Sequence, residues 1–134
     1  MKKFLLIVTL LTLNLFADFK TIDTKGFEKL KKEGVVVIDI RTPYEWNATG
    51  IIEGANKITF FSEQGQPLLA DWFFEVGHIL KDRKEPFIIY CAHANRTKSL
   101  GQGLVQMGFE NVYELEGGIE NGWIKKGKEV VKEK

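Results

Sequence analysis

The chain holds one cysteine, Cys91, and the residues after it run Ala92-His93-Ala94-Asn95-Arg96-Thr97. A thiol followed closely by small residues and an arginine can do nucleophilic chemistry. The thiolate is the reactive form, and it is favoured beside cationic side chains and at helix N-termini. Both conditions can be met here. Phe87-Ile88-Ile89-Tyr90 is an apolar run that reads as a buried strand. A helix pattern follows from about Thr97 to Met107 and stops at Gly108. A tight loop between strand and helix aims several backbone N–H groups into one bowl, and the helix adds its unpaired N–H groups and the positive end of its dipole. Ala92 and Ala94 leave the bowl open, and Arg96 brings a positive charge. Thr97 reads as the helix N-cap, and Asn95 as a side chain that stabilises the turn. His93 either donates to a substrate oxygen or is a plain polar loop residue. A lone cysteine at a strand end is often mere packing. The arginine across a loop of small residues tips the balance to a reactive thiol.

The elements around this loop alternate between helix and strand, which predicts a layered α/β fold. A short helix is expected from Thr24, as its cap, through Lys32, with Phe27 and Leu30 inward and Gly34 at its end. Val35 to Ile38 is a β-branched run suited to a parallel strand buried on both faces. Thr42-Pro43-Tyr44-Glu45 predicts a helix start: Thr42 caps, Pro43 takes the first position and Glu45 closes a capping box. That box accounts for Glu45. Asp39 and Arg41 lie at a strand exit, and the reading preferred for them is structural, with Asp39 holding loop N–H groups and Arg41 pairing locally. Gly50 to Ile58 carries a turn and a short strand, and a loop follows over Phe60 to Gln66. A helix is expected from Pro67 to Leu80, with Leu69, Phe73, Val76 and Leu80 at helical spacing. His78 on that helix reads as a core or surface residue. Val112 to Leu115 predicts another strand. Gly117-Gly118 should turn the chain into a last short helix holding Ile119 and Trp123, and the Lys/Glu-rich tail after Gly127 is expected to fray.

The 134 residues suit one domain, and 44% hydrophobic with 28% charged residues is a globular mixture. Residues 1–17 have the three-part layout of a secretory signal: Lys2 and Lys3, an apolar run from Phe4 to Phe16, and Ala17 before polar Asp18. The run falls short of the about 20 apolar residues that span a bilayer. The expectation is a cleaved signal over 1–17, an exported and periplasmic protein, and a domain over 18–134, with no membrane contact beyond the signal segment. An uncleaved anchor is the alternative. Loss of Lys2 and Lys3, with no acid lost, would move the formal charge from +1 to −1. No basic excess or stripe points to a nucleic acid. An exported chain with one cysteine has no internal disulfide, so Cys91 is a buried inert thiol, half of an intermolecular bond or a reactive group. His78, Cys91 and His93 do not make a tetrahedral ligand set, and neither a metal nor an organic cofactor is implied.

From about Thr21 to Trp123 the chain resembles the rhodanese-like domain family. Val37-Ile38-Asp39-Ile40-Arg41 with Glu45 resembles the family's first motif. Gly50-Ile51-Ile52-Glu53-Gly54-Ala55 resembles its "GHIPGA" stretch, with Ile51 for the usual His and Glu53 for the usual Pro. Cys91 to Thr97 resembles the active-site loop C-x-x-G-x-R-S/T, with Ala94 in place of the Gly. Gly117-Gly118-Ile119 with Trp123 resembles the final motif. Glycine suits a loop that bends freely, so Ala94 bears on the loop's shape and rate. Four residues separate Cys91 from Arg96. The similar phosphatase domains that act on cyclin-dependent kinases have one more, and a His where Tyr90 stands. The shorter loop favours sulfur over phosphate.

The resemblance implies an α/β domain with a mostly parallel central sheet flanked by helices and the active-site loop at the C-terminal end of a strand. It also implies a sulfurtransferase. Cys91 would take the outer sulfur of a donor such as thiosulfate as a persulfide and pass it to cyanide, a thiol or a partner protein's thiol. Arg96 would hold the anionic donor, with His93 and Asn95 contacting its oxygens and Ala92, Ala94 and Thr97 completing the loop. The rival from another class is a non-catalytic sulfur carrier or regulatory module. A redox role through a mixed disulfide is a third reading, and phosphatase or arsenate chemistry a fourth.

Overall fold

The computed structural model describes residues 18–132. The signal segment expected over residues 1–17 lies outside the described residues. Five parallel strands form one sheet in the order β1-β5-β4-β2-β3, namely β1 Lys20–Ile22, β2 Val36–Asp39, β3 Asn56–Lys57, β4 Phe87–Tyr90 and β5 Val112–Leu115. The helices are α1 Thr24–Lys32, α2 Pro43–Thr49, α3 Leu69–Ile79, α4 Asn95–Gln106 and α5 Gly118–Gly122. This is the α/β architecture expected from the alternation of apolar runs.

Successive strand side chains point to opposite faces, and both faces are covered. Val37, Ile88, Tyr90 and Leu115 pack with Phe27 of α1 and Ile119 of α5. Ile38, Phe87, Ile89 and Val112 pack with Trp72 and Val76 of α3 and Leu100 and Leu104 of α4. β4 is the central strand and all four of its residues are buried, which is why its sequence is apolar without alternation. Cys91 follows at its carboxyl end and packs with the α3/α4 layer. Ligands of open α/β sheets bind at this end of the strands.

Several boundaries differ from expectation for local reasons. Asp23, not Thr24, caps α1, because its side chain accepts from the Gly26 N–H at 2.8 Å. The Thr24 hydroxyl instead donates to the Gly122 carbonyl at 2.6 Å. The second strand starts at Val36 because the Val35 N–H still bonds to Leu30 at the end of α1. Pro67 does not open α3; it bridges to Phe61, and the Leu68 N–H bonds to the Phe60 carbonyl at 2.7 Å, so the helix begins at Leu69. His78 is exposed on α3 and its Nδ1 meets the Phe74 carbonyl.

The tail after Gly127 is not frayed through residue 132. Val131 pairs with Ile51 in a reciprocal bridge of two 2.9 Å bonds, and the Trp123 indole N–H donates to the Glu129 carbonyl. Its charged composition suggested a free end; the backbone pairing is what holds it. Ile51, where the family has His, is buried in that bridge.

Candidate active site

The site is built from the backbone outward. Ala94 has φ 67°, the only positive φ outside glycine among the described residues. This left-handed residue is the N-cap of α4 and turns the chain from the strand end into the helix. The first intrahelical bond runs from the Lys98 N–H to the Ala94 carbonyl. The N–H groups of Asn95, Arg96 and Thr97 therefore lack intrahelical acceptors. Among the described residues, nothing accepts from the N–H of Ala92, His93 or Ala94 either. The loop and the helix start thus bring six free donors to the residues that follow Cys91, with the positive helix end behind them.

The Gly117-Gly118 motif holds this loop from the other side. Gly117 and Gly118 both take positive φ. The Ile119 N–H then reaches the Cys91 carbonyl at 2.9 Å and the Glu120 N–H reaches the Ala92 carbonyl at 3.1 Å. A Cβ on Gly118 would overlap the Ala92 carbonyl, so no larger residue fits.

Helix α4 starts two residues before the expected Thr97. Thr97 is therefore not the N-cap; it lies inside the first turn and is fully buried. Its hydroxyl donates to Glu114 Oε2 at 2.5 Å and lies 3.7 Å from Cys91 Sγ, which donates to it. Glu114 on β5 is also fully buried, and its Oε1 accepts from the Thr21 hydroxyl at 2.9 Å and from Lys98 Nζ. Asn95, expected to brace the turn, is the first residue of α4, exposed and without a side-chain hydrogen bond among the described residues.

Arg96 leans over the thiol side of the loop and is gripped by Glu45. Its Nη1 and Nη2 donate to Glu45 Oε1 and Oε2, both at 2.7 Å, leaving three of the five guanidinium donors. The Glu45 bonds, chiefly, and the neighbouring Cys91 raise the Arg96 pKa above the ordinary value. Burial by itself raises the Glu45 carboxyl, but the Arg96 fork and charge, with Thr42 and Arg41, outweigh it and leave the carboxyl below its usual range. The capping box is present, at 3.4 Å for the Glu45 N–H to Thr42 Oγ1. It is not a sufficient account of Glu45, whose carboxylate orients the arginine of the loop. That long-range pairing, 51 residues apart, leaves no local pattern in the sequence.

Asp39 and Arg41 are structural, as read. Both are buried, and Arg41 gives its backbone N–H, Nε and Nη2 to Asp39 while Nη1 and Nη2 reach Thr49 and the Gly50 carbonyl. Burial lowers the Arg41 pKa, but the Asp39 bonds and charge reverse this and raise it. Tyr90 is raised by burial first and by the Asp39 charge second, and its hydroxyl accepts from the Ile52 N–H. This unit fixes the loops after β2 and carries Glu45 to its place opposite Arg96.

His93 stands on the rim, half-exposed, with Nε2 2.7 Å from Glu120 Oε2. Beside Arg96 opens a cleft of about 660 Å³, lined by Thr42, Tyr44, Glu45, Phe61, Ser62 and Glu63 among others. Cys91 does not line this cleft and is itself buried, 1% exposed. The described residues hold no cluster of His, Cys, Asp and Glu suited to a metal ion. No helix among them is long and apolar enough to cross a membrane.

Residues 24–126 match the Rhodanese-like domain. The chain is 35% identical over 104 residues to a thiosulfate sulfurtransferase GlpE of Pseudomonas entomophila, covering 78% of this chain and 84% of that one. A rhodanese-related protein of Thermoplasma volcanium superposes with a TM-score of 0.64 at 28% identity, over 86% of this chain and 100% of that one. A polysulfide-sulfur transferase of Wolinella succinogenes, described as a homodimer, superposes at 0.63 and 28% identity, over 88% and 82%.

The left-handed Ala94 carries a cost that glycine avoids, on the order of 1 kcal/mol. Ala94→Gly is expected to raise stability by about 0.5–1 kcal/mol in urea denaturation while keeping the loop conformation.

Proposed function

This chain belongs to the rhodanese-like domain family and is a thiosulfate sulfurtransferase-like enzyme; from that premise we propose that it works through a persulfide on Cys91. The observation that carries the proposal is the run of unpaired N–H groups that follows a buried thiol, with Arg96 beside it.

The Cys91 thiolate attacks the outer sulfur of thiosulfate. A new S–S bond forms at Sγ, the S–S bond of the donor breaks, and sulfite leaves with the electron pair. The persulfide's terminal sulfur, as an anion, rests among the N–H groups of residues 92–97, where hydrogen bonds to a charged acceptor are strongest. An acceptor thiolate or cyanide then attacks that outer sulfur and Cys91 leaves as thiolate. The two half-reactions share one enzyme-bound intermediate. Arg96 keeps three donors for the donor's oxygens, and Glu45 fixes their direction. Glu45 also offsets part of the arginine's charge, so the free N–H groups carry more of the anion binding than Arg96 alone. His93, on the rim and paired with Glu120, meets the donor or acceptor on entry. Small anions and thiols reach the loop through the cleft at Tyr44 and Phe61. A polysulfide is a second donor of the same chemical kind, and the likeness to the Wolinella protein supports including it.

We further propose that residues 1–17 direct export to the periplasm, on the strength of Lys2, Lys3, the apolar run and Ala17. The protein recovered from periplasmic extracts should begin at Asp18 by N-terminal sequencing; an intact Met1 in the cytoplasmic fraction would reject this.

For the transfer itself, initial rates with thiosulfate and cyanide varied together should give parallel double-reciprocal lines. Cys91→Ser should abolish turnover with the fold kept. A serine variant that turns over, or sulfur bound once without turnover in the natural chain, would rule out the cycle; the second result would favour the carrier role.

A further inference from the structure

Glu114 is fully buried beside the nucleophile, and sulfur transfer, as described, does not use it. It sits on β5, paired in register with Ile89 of the strand that delivers Cys91, and with Thr21 of β1 on its other side. A carboxylate taken fully out of water is costly unless its lone pairs are filled. Here they are filled by Thr97, Thr21 and Lys98. The Thr97 contact is directional. A hydroxyl has one proton, and at 2.5 Å that proton belongs to the bond with Glu114. The Thr97 lone pair then faces Cys91, whose S–H points to it at 3.7 Å. The three groups form an ordered chain, S–H to O–H to carboxylate, closed off from water on all sides.

We propose that Thr97 and Glu114 form a proton relay that generates the Cys91 thiolate without a base from solvent. This rests on Cys91 being the nucleophile. Cys91 gives its proton to Thr97 Oγ1 as Thr97 gives its own to Glu114 Oε2. One S–H and one O–H bond break, two O–H bonds form, and the negative charge passes from carboxylate to sulfur. No oxidant or reductant is involved. After the shift every bond in the chain is reversed: the Glu114 carboxyl donates to Thr97, and Thr97 donates to the thiolate. The charge leaves a site balanced by Lys98, whose side chain is 56% exposed, and arrives among the N–H groups of the loop. Thr97 touches the reacting sulfur; Glu114 acts through it, as a positioning residue.

The surrounding charges are few. Lys98 from α4 and the neutral Thr21 from β1 face Glu114. Arg96 from α4, bound to Glu45 of α2, faces Cys91. The His93–Glu120 pair lies at the rim.

A relay and a merely structural carboxylate predict effects of opposite sign. A fixed negative charge close to Cys91 opposes the thiolate, so neutralising it would speed reaction of the sulfur. Loss of a relay slows it. Cys91 is the only cysteine, so its alkylation by iodoacetamide can be followed by intact mass from about pH 5 to pH 9. The natural chain should show a pH-independent rate below neutrality, set by the internal proton shift. Glu114→Gln keeps an oxygen for Thr97 but takes no proton. Its rate should fall about tenfold per pH unit with no plateau, and be at least about tenfold slower than the natural chain near pH 6. Thr97→Val should behave likewise, and Thr97→Ser should restore the plateau. Thermal melts establish that each variant is folded; should Glu114→Gln fail to fold, the Thr97 pair decides. A Glu114→Gln protein as fast as the natural chain or faster overturns the relay. So does a natural chain without a plateau, or a Thr97→Val protein that keeps one. Alkylation needs no sulfur donor, so a plateau in a protein that forms no persulfide would refute sulfur transfer and leave the relay standing.

Discussion

The turn at Ala94 governs this site. It ends the strand's path at Cys91 and starts α4 at once, so the unpaired N–H groups of the helix and of the loop are gathered in one short stretch. That conformation is poor for any residue except glycine. It is held by contacts on the opposite side of the loop. The Ile119 and Glu120 N–H groups bind the Cys91 and Ala92 carbonyls, and they reach them only because Gly118 has no side chain. The carbonyls are thereby turned toward α5, and the N–H groups of the loop are left unpaired.

Charge in the centre is organised as pairs. Arg41 and Asp39 are buried together and tie the segment after β2 to the turn at Thr49 and Gly50. Removing one member of such a pair costs about 3–5 kcal/mol, since the other stays buried and uncompensated. The segment so fixed presents Glu45, which grips Arg96 through both carboxylate oxygens. The chain thus passes from the buried Arg41–Asp39 pair to the Glu45–Arg96 pair within four positions, from Arg41 to Glu45. The third carboxylate, Glu114, approaches from the β5 side and meets Cys91 through Thr97. Arg96 on one side and Thr97 on the other therefore give Cys91 two polar neighbours with different partners.

Much of this was readable from the residues in order. The strand before Cys91, the capping box at Thr42, the buried role of Asp39 and Arg41, and the glycine turn at 117–118 all depend on local patterns. The misread features depend on partners distant in the chain. Thr97 resembled an N-cap because hydroxyl residues commonly occupy that place; Ala94 holds it instead, by backbone conformation alone. Glu45 had a local explanation in the capping box, which hid its bond to a residue 51 positions away. The first strand, only three residues long, has too little periodicity to be seen. Glu114 did leave a sign: a charged residue within Val112–Leu115, a strand that the sheet buries on both faces. A charge in such a place asks for a partner, and one partner, Thr97, is next to Cys91.

Sulfur transfer as proposed requires that sulfur be carried on Cys91. The most direct measurement is the intact mass of the purified protein after thiosulfate, before and after cyanide. The expected result is a gain of one sulfur atom, mapped to Cys91 and removed by cyanide. A chain whose mass stays unchanged with thiosulfate and with polysulfide would contradict it.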